Sequence, residues 1–467
     1  MITITYGCRK ERIIKDPGAL LSFSTDTLTF DTVFTTIGSS TRHFKVFNPY
    51  NQSVIISSIT LAGGQASSFR MNVDGLPGIA FSDLQIAPKD SMYIFVEVTV
   101  DPNNDNLPFV IYDSITFVTN GNPQRVVLEA YGQNAHFYSD QRVCDVWNDD
   151  LPYVILKSIL VDSNCTLTIT EGVNIYLHAN AYIFVRPTAT LKVQGTKDSL
   201  VTFEGDRLEH FFDDLPGQWG GILFLRGSTG NEIRHARISE ATSGIIIGSS
   251  TSTDLADFTY PNKPNVSIYQ TEIRNCSQWG IFSFFSDVKA ENCLIYGCGD
   301  NNLALLFGGA HEFTHCTVAN YGVIGITHTT PVLRLTNYAM QDQVAFLADF
   351  SATFTNSIFY GSKSVGTDPA DGEIELDFLD VPGVGDTTYV FDHCILRTNM
   401  QKGPPLFESV LLNEDPRFEN IEEDDYTPDD SSPAIDAGKD LPGFAEDLFG
   451  NPRPVGPRWD IGAIERQ

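Results

Sequence analysis

Ala290-Glu291-Asn292-Cys293-Leu294-Ile295 is followed 23 residues later by Phe313-Thr314-His315-Cys316-Thr317-Val318. Both copies place a small residue between two apolar residues that stand five apart. Four further copies run from Ile233 to Ile238, Ile268 to Ile273, Phe354 to Phe359 and Phe391 to Leu396. Eight residues beyond the closing residue of the first four copies, another apolar residue recurs: Ile246, Ile281, Leu303 and Ile326. Uninterrupted copies are 22 and 23 residues apart, and the longer gaps from 238 to 273 and from 318 to 359 are repeats carrying loop insertions. This pattern predicts an all-β fold over about 140–404, a right-handed parallel β-helix. Each rung gives one strand to each of several parallel sheets, spaced ~4.8 Å apart. No rung can bury its own inner face, so equivalent positions must stack into continuous apolar ladders. Leu167 to Val173, Ala189 to Gly195 and Val201 to Gly205 carry the same signature, and Gln218-Trp219-Gly220 and Gln278-Trp279-Gly280 read as one corner used twice.

The repeat gives many chemically tempting residues a structural reading. Cys293, Cys316 and Cys394 occupy the position of Ala236, Thr271 and Ser357, while Cys276 and Cys298 form a second column. Small thiols in an inward ladder are ordinary core residues. His235, Gln270, Asn292, His315, Asn356 and His393 share the column before the small residue, which predicts a polar corner ladder bridging neighbouring backbones. Cys144 and Cys165 lie 21 apart, about one rung, near the open end of the helix. A disulfide and a pair of free thiols are both compatible with that spacing. No CxxC or Cys/His quartet has zinc spacing. The segment as a whole resembles secreted β-helix proteins of the pectate-lyase-like superfamily, a resemblance that implies the fold and leaves the activity open.

Residues 18–135 alternate differently. Val96, Val98 and Val100 share one strand face, with Glu97 and Thr99 on the other. Turn residues such as Asn48-Pro49, Gly63-Gly64 and Asn120-Gly121-Asn122-Pro123 separate the short strands, which predicts an antiparallel β-sandwich. Phe44-Lys45-Val46-Phe47-Asn48, Ile86-Ala87-Pro88-Lys89-Asp90-Ser91 and Ala130-Tyr131-Gly132 resemble immunoglobulin-like modules of the Hydin/choice-of-anchor type. That resemblance implies a spacer or binding platform. Residues 405–467 contain Ser432-Pro433-Ala434-Ile435-Asp436-Ala437-Gly438, Asp447-Leu448-Phe449-Gly450-Asn451-Pro452-Arg453 and Asp460-Ile461-Gly462-Ala463-Ile464-Glu465. This series resembles the choice-of-anchor module that ends many surface β-helix proteins, and is expected to cap the last rung. The acidic stretches Asp101 to Asn106 and 414–436 offer oxygen ligands for Ca²⁺, the one cofactor considered; a solvated surface is the alternative.

Across 467 residues, 59 Asp and Glu oppose 30 Lys and Arg, giving a net charge of −29. Duplex nucleic acid and anionic membrane faces are therefore poor partners. No apolar run reaches the ~18 residues of a membrane-spanning helix. Residues 1–17 read as a leader and linker, in which Tyr6-Gly7-Cys8 resembles a bacterial lipobox with Cys8 as the lipidated residue. That resemblance implies a lipid anchor at the outer membrane or cell surface of a Gram-negative bacterium. A cytosolic chain with a chance Cys8 is the alternative.

No P-loop, GxSxG, HExxH or dinucleotide fingerprint is present. On a β-helix, a lyase needs Ca²⁺ and an Arg or Lys base, and a hydrolase needs two carboxylates ~5–9.5 Å apart. Arg234 and Arg274 stand near rung strands, but the repeat register reveals no matching acidic cluster. Two inserts carry candidate ligand-binding residues: His210, Phe211, Phe212, Asp213 and Asp214, then Asp257, Phe258 and Tyr260. Their rings suit sugar faces and their carboxylates suit hydroxyls. The expectation is a non-catalytic surface protein that binds polysaccharide or another cell-surface ligand. A polysaccharide lyase or glycoside hydrolase, and a structural stalk, are the alternatives.

Overall fold

A computed structural model of the chain describes residues 12–35, 38–101, 109–248, 263–367, 371–400 and 407–467. Among them every regular element is a strand or a short 3₁₀ turn. The chain forms two compact units, one of residues 1–135 with 208–211, the other of 136–207 with 212–467.

The first unit is a sandwich of two five-stranded sheets. One sheet orders Ser22–Phe23, Arg42–Phe47, Ser91–Val98, Phe69–Val73 and Leu76–Gly78; the other orders Thr27–Phe34, Asn122–Gln133, Phe109–Thr119, Val54–Leu61 and Ala80–Ile86. Neighbours are antiparallel with one departure: Thr27–Phe34 runs parallel to Asn122–Gln133. Strand alternation drives Phe44, Val46, Ile94, Val96 and Val98 into the core against Ile56, Ile59, Ile115 and Phe117. The proposed cation loop falls almost wholly outside the described residues, since 102–108 are not among them.

The second unit stacks three parallel sheets of eleven, nine and ten strands. One rung contributes Glu272–Cys276 to the first sheet, Ile281–Phe284 to the second and Asp287–Glu291 to the third. The next contributes Leu294–Cys298, Leu303–Leu306 and Gly309–Thr314. Inward positions form the expected ladders. In the first sheet Phe203, Ile238, Ile273, Ile295, Val318 and Phe359 stand in register. In the third sheet the ladder ends in stacked rings, Phe354 and Phe391 being 4.8 Å apart between centroids. Two expected members are displaced. Ile245, not Ile246, pairs with Ile281, and Leu333, not Ile326, pairs with Leu303. An inserted loop between Asn320 and Leu333 takes Ile326 off the ladder. The helix also runs from His136 to Leu412, wider than the 140–404 expected, because His136–Tyr138 opens the first sheet and two last strands follow residue 404.

The polar corner column has a backbone cause. His235, Gln270, Asn292, His315, Asn356 and His393 all have φ between 40° and 52°. The left-handed region is costly for most L-residues and best tolerated by polar residues such as Asn. Each corner amide donates to a third-sheet carbonyl of the next rung, as Asn292 does to Thr314 at 3.0 Å. The following small residue returns a bond to the carbonyl two positions back: Ser357 at 2.9 Å, Cys293 at 3.4 Å, Cys316 and Cys394 at 3.5 Å. Cys144 and Cys165 are joined as a disulfide, whereas Cys276, Cys293, Cys298, Cys316 and Cys394 are buried thiols.

The C-terminal segment departs in part from its expected place. Phe407–Glu408 and Leu411–Leu412 add the last strands of the stack, and the residues beyond them lie along the outer flank of the first sheet. Leu294, Tyr296 and Ala319 pack under Tyr426, Leu448, Ala463 and Ile464, while Ile358, Tyr360 and Ile395 pack under Ala434 and Ile461. Those outward positions are apolar, so they require a cover. Some corner side chains bind this cover: Asn356 exchanges bonds with the Lys439 backbone (2.8 and 2.7 Å), and Asn292 donates to the Glu446 carbonyl (3.2 Å), whereas His393 bonds Asp392 beside it and Gln270 accepts from Arg234. The motif acids explain themselves here. Arg453 and Glu465 have fully buried side chains 3.4 Å apart, and Arg453 also reaches His315 and the Gly462 carbonyl. Burial and the Arg453 charge hold His315 well below its usual pKa, so it is neutral.

Candidate functional site

Outward residues of the first sheet alternate with the Phe203, Ile238 and Ile273 ladder, so Glu204, Arg237, Glu272 and Arg274 all emerge on one face. Arg237 pairs with Glu272 at 2.8 Å, one rung on. Tyr296 donates to Glu272 at 2.9 Å and accepts from Arg274 at 3.1 Å. Arg274 is the hub. Its Nη2 lies 3.0 Å from Asp214 Oδ1 and its Nη1 lies 3.3 Å from Asp424 Oδ2. Asn275 donates a further bond to Asp214 at 3.0 Å. Three distant pieces of chain thus meet: the insert between Val201–Gly205 and Gly221–Phe224, the strand Glu272–Cys276 and the C-terminal segment.

Burial raises the carboxyl pKa of Asp424 against the opposing pull of Arg274. Burial likewise raises Glu204, with Arg237 and a Tyr176 hydrogen bond opposing. Behind the insert, burial pushes Glu240 up to about 7, although its carboxylate accepts from the backbone amides of Gly205 (3.0 Å) and Asp214 (3.1 Å). Glu240 therefore fixes the position from which Asp214 projects.

Beside this hub opens a cleft of about 580 Å³, within the range of small-ligand sites. Asp214, Asn275, Tyr321, His328, Glu422 and Asp424 line it, with an apolar lip from Val323, Ile324 and Ile326. His328 is held from behind: its Nε2 sits 2.9 Å from buried Glu373, which also accepts from the amides of Lys363 (2.8 Å) and Val332 (3.2 Å). Its Nδ1 is buried without a hydrogen-bond partner. Three carboxylates against one guanidinium make the cleft acidic.

Of the first predicted insert, the structure brings only Asp214 to this cleft. His210–Phe212 form a 3₁₀ turn on which Phe211 is 78% exposed, and Phe212 lies under the Arg207 guanidinium at 4.0 Å. Asp213 lies near enough to Glu204 to add to its raised pKa. Asp257, Phe258, Tyr260 and Cys8 lie outside the described residues. Sequence reading missed Glu204, Arg237, Glu272, Asp424 and His328. The signal for the first three was a charged residue one step from the inward residue on successive rungs.

The donor set does not fit Ca²⁺. Asp214, Asp424 and Glu272 converge on the Arg274 guanidinium, which already supplies the positive charge, and Ca²⁺ requires six or more oxygens around one point. No group of three His, Cys, Asp or Glu side chains among the described residues is arranged to hold a metal ion.

Residues 141–320 match the family model of the pectate-lyase like β-helix domain. No curated protein matches the chain. Among solved structures, a family 123 glycoside hydrolase from Clostridium perfringens aligns at 8% identity and a TM-score of 0.19, over 26% of this chain and 30% of the hydrolase. The chain thus spans less than a third of that enzyme. The ASH/PapD-like domain of human CEP192 aligns at 9% identity and a TM-score of 0.18, over 29% of this chain and 96% of that domain.

Proposed function

We propose that the protein is an extracytoplasmic polysaccharide-binding protein whose cleft at Asp214, Asn275, Tyr321 and Asp424 holds a neutral or amino-sugar chain. The observation that carries this reading is the fixed carboxylate pair on Arg274 beside an open cleft with a tyrosine ring. Carboxylates held in position accept from sugar hydroxyls, and charge-assisted bonds are the stronger kind. The acid excess disfavours polyuronates by like-charge repulsion. The Cys144–Cys165 disulfide supports an oxidising compartment. A lipid anchor at Cys8 accords with that placement, and the net charge of −29 disfavours nucleic acid.

A second reading, hydrolysis, is favoured by the juxtaposition of Asp214 and Asp424. Two carboxylates on one guanidinium lie within the ~10 Å that spans the carboxyl pair of a glycosidase. Asp424, with its raised pKa, would be the proton donor and Asp214 the partner that activates water.

The test is affinity electrophoresis of the full chain in gels containing glucan, mannan, chitosan or polygalacturonate, with Ca²⁺ or with chelator. Retardation by a neutral or amino-sugar polymer, weakened at least tenfold in D214A and D424A, is the expected result. Retardation by polygalacturonate alone overturns the reading. New reducing ends that vanish in D424N establish hydrolysis.

A further inference from the structure

The sandwich carries a separate hollow whose chemistry is complete within that unit. On the outward face of the sheet containing Arg42–Phe47, Ser91–Val98 and Phe69–Val73, three rings meet. Tyr93 and Phe95 stack with centroids 5.8 Å apart and planes at 15°, and His43 lies 5.4 and 5.7 Å from them. The register sets Asn72 opposite Phe95 and Arg70 opposite Glu97. Over Phe95 the turn at Gly75 and Pro77 walls off a hollow of about 320 Å³, completed by Arg70, Asn72 and Glu97.

Three features mark this as more than a solvated face. Outward sandwich positions are ordinarily polar, yet Phe95 leaves a partly exposed ring on the floor. Asn72 Oδ1 is buried and accepts no hydrogen bond. A buried acceptor left without a donor is unfavourable, and a ligand donor would recover that loss. Arg70 and Glu97 face each other in register but form no ion pair; the Arg70 guanidinium turns to the carbonyls of Phe69 (2.8 Å) and Ser67.

We propose that this hollow is a binding subsite for a neutral pyranose. The C–H face of one ring lies on Phe95, one hydroxyl donates to Asn72 Oδ1, and further hydroxyls bond Glu97 and Arg70. One carboxylate and one guanidinium balance, so neither a uronate nor an amino sugar is favoured. The volume suits a sugar unit or two, at the small end of ligand sites. A protein partner would need about 800 Å² of matching surface, which a hollow of this size does not offer.

The site stands on the sandwich alone and does not depend on the cleft reading. Its test uses the full-length chain carrying D214A and D424A, which disable the cleft. Calorimetry with cello-, manno-, galacto- and xylohexaose reports what binding remains. The expected result is a measurable affinity for at least one of these, lowered at least tenfold by F95A and by N72L and retained in F95W. N72L guards against a folding defect in F95A, because it removes the acceptor while keeping similar bulk. Absence of binding to all four sugars, or affinity unchanged in both F95A and N72L, overturns the proposal. Loss of polymer binding in D214A/D424A together with hexaose binding unaffected by F95A and N72L retains the cleft and rejects this site.

Discussion

Arg453 illustrates how single residues decide this fold. Its guanidinium is wholly buried, and Glu465, the Gly462 carbonyl and neutral His315 are its partners. Removing one member of such a pair strands the other charge, which costs ~3–5 kcal/mol. Urea unfolding of R453A and of E465Q should therefore show losses of about that size. The stacked thiols are a second case. Burial raises Cys298 and Cys316 well above the usual thiol range and pushes Cys394 to about 12, so little thiolate exists at neutral pH. Alkylation of the native protein followed by peptide mapping should leave Cys276, Cys293, Cys298, Cys316 and Cys394 unlabelled, and all five should label in denaturant. Labelling of Cys293 or Cys316 in the native state would contradict the inward ladder.

The element that matters most for the cleft is the insert between Val201–Gly205 and Gly221–Phe224, which Glu240 ties down through the Asp214 amide. The folded carboxyl sits at about 7, above the ~4.3 of an unfolded chain. The native state therefore holds the extra proton between those values, and its contribution to stability is full below ~4.3 and lost as pH rises through 7. Relative to E240Q, the native sequence should lose on the order of 2 kcal/mol between pH 5 and pH 8 in unfolding experiments. An equal slope in both proteins would refute the assignment. Elements like the rung strands were legible in sequence because each buried position recurs with the same chemistry, as Ile238, Ile273 and Ile295 do. Ile326 was misplaced because a loop can mimic the spacing without joining the stack. The cleft was largely illegible: Asp214, Arg274 and Asp424 lie 60 and 150 residues apart, and only the coil of the helix and the fold-back of the tail bring them together. The corner histidines and asparagines were legible as a column, but the partners of Asn292, His315 and Asn356 were not, since the docked tail supplies them.

For the whole molecule, the tail replaces solvent over an apolar flank. A chain ending after Leu412 would expose Leu294, Tyr296, Ala319, Ile358, Tyr360 and Ile395 together. A contiguous apolar surface of that kind drives association. The truncated protein should bind a hydrophobic dye and sediment as oligomers, while the full chain does neither on that account. Equal dye binding by both would mean the flank has other cover. The tail's grip is also spread along the helix axis: Lys197 meets Gly450, Asn292 meets Glu446, Thr317 meets Ala463, and Asp392 meets Lys439. Rungs 22 or 23 residues long are interchangeable among themselves, so evolution could add or drop one at little expense to the stack. The tail forbids this between Lys197 and Asp392, because its own docking points are set at a fixed pitch. It works as a ruler that counts rungs, and it confines changes in helix length to the turns before Lys197 and after Asp392.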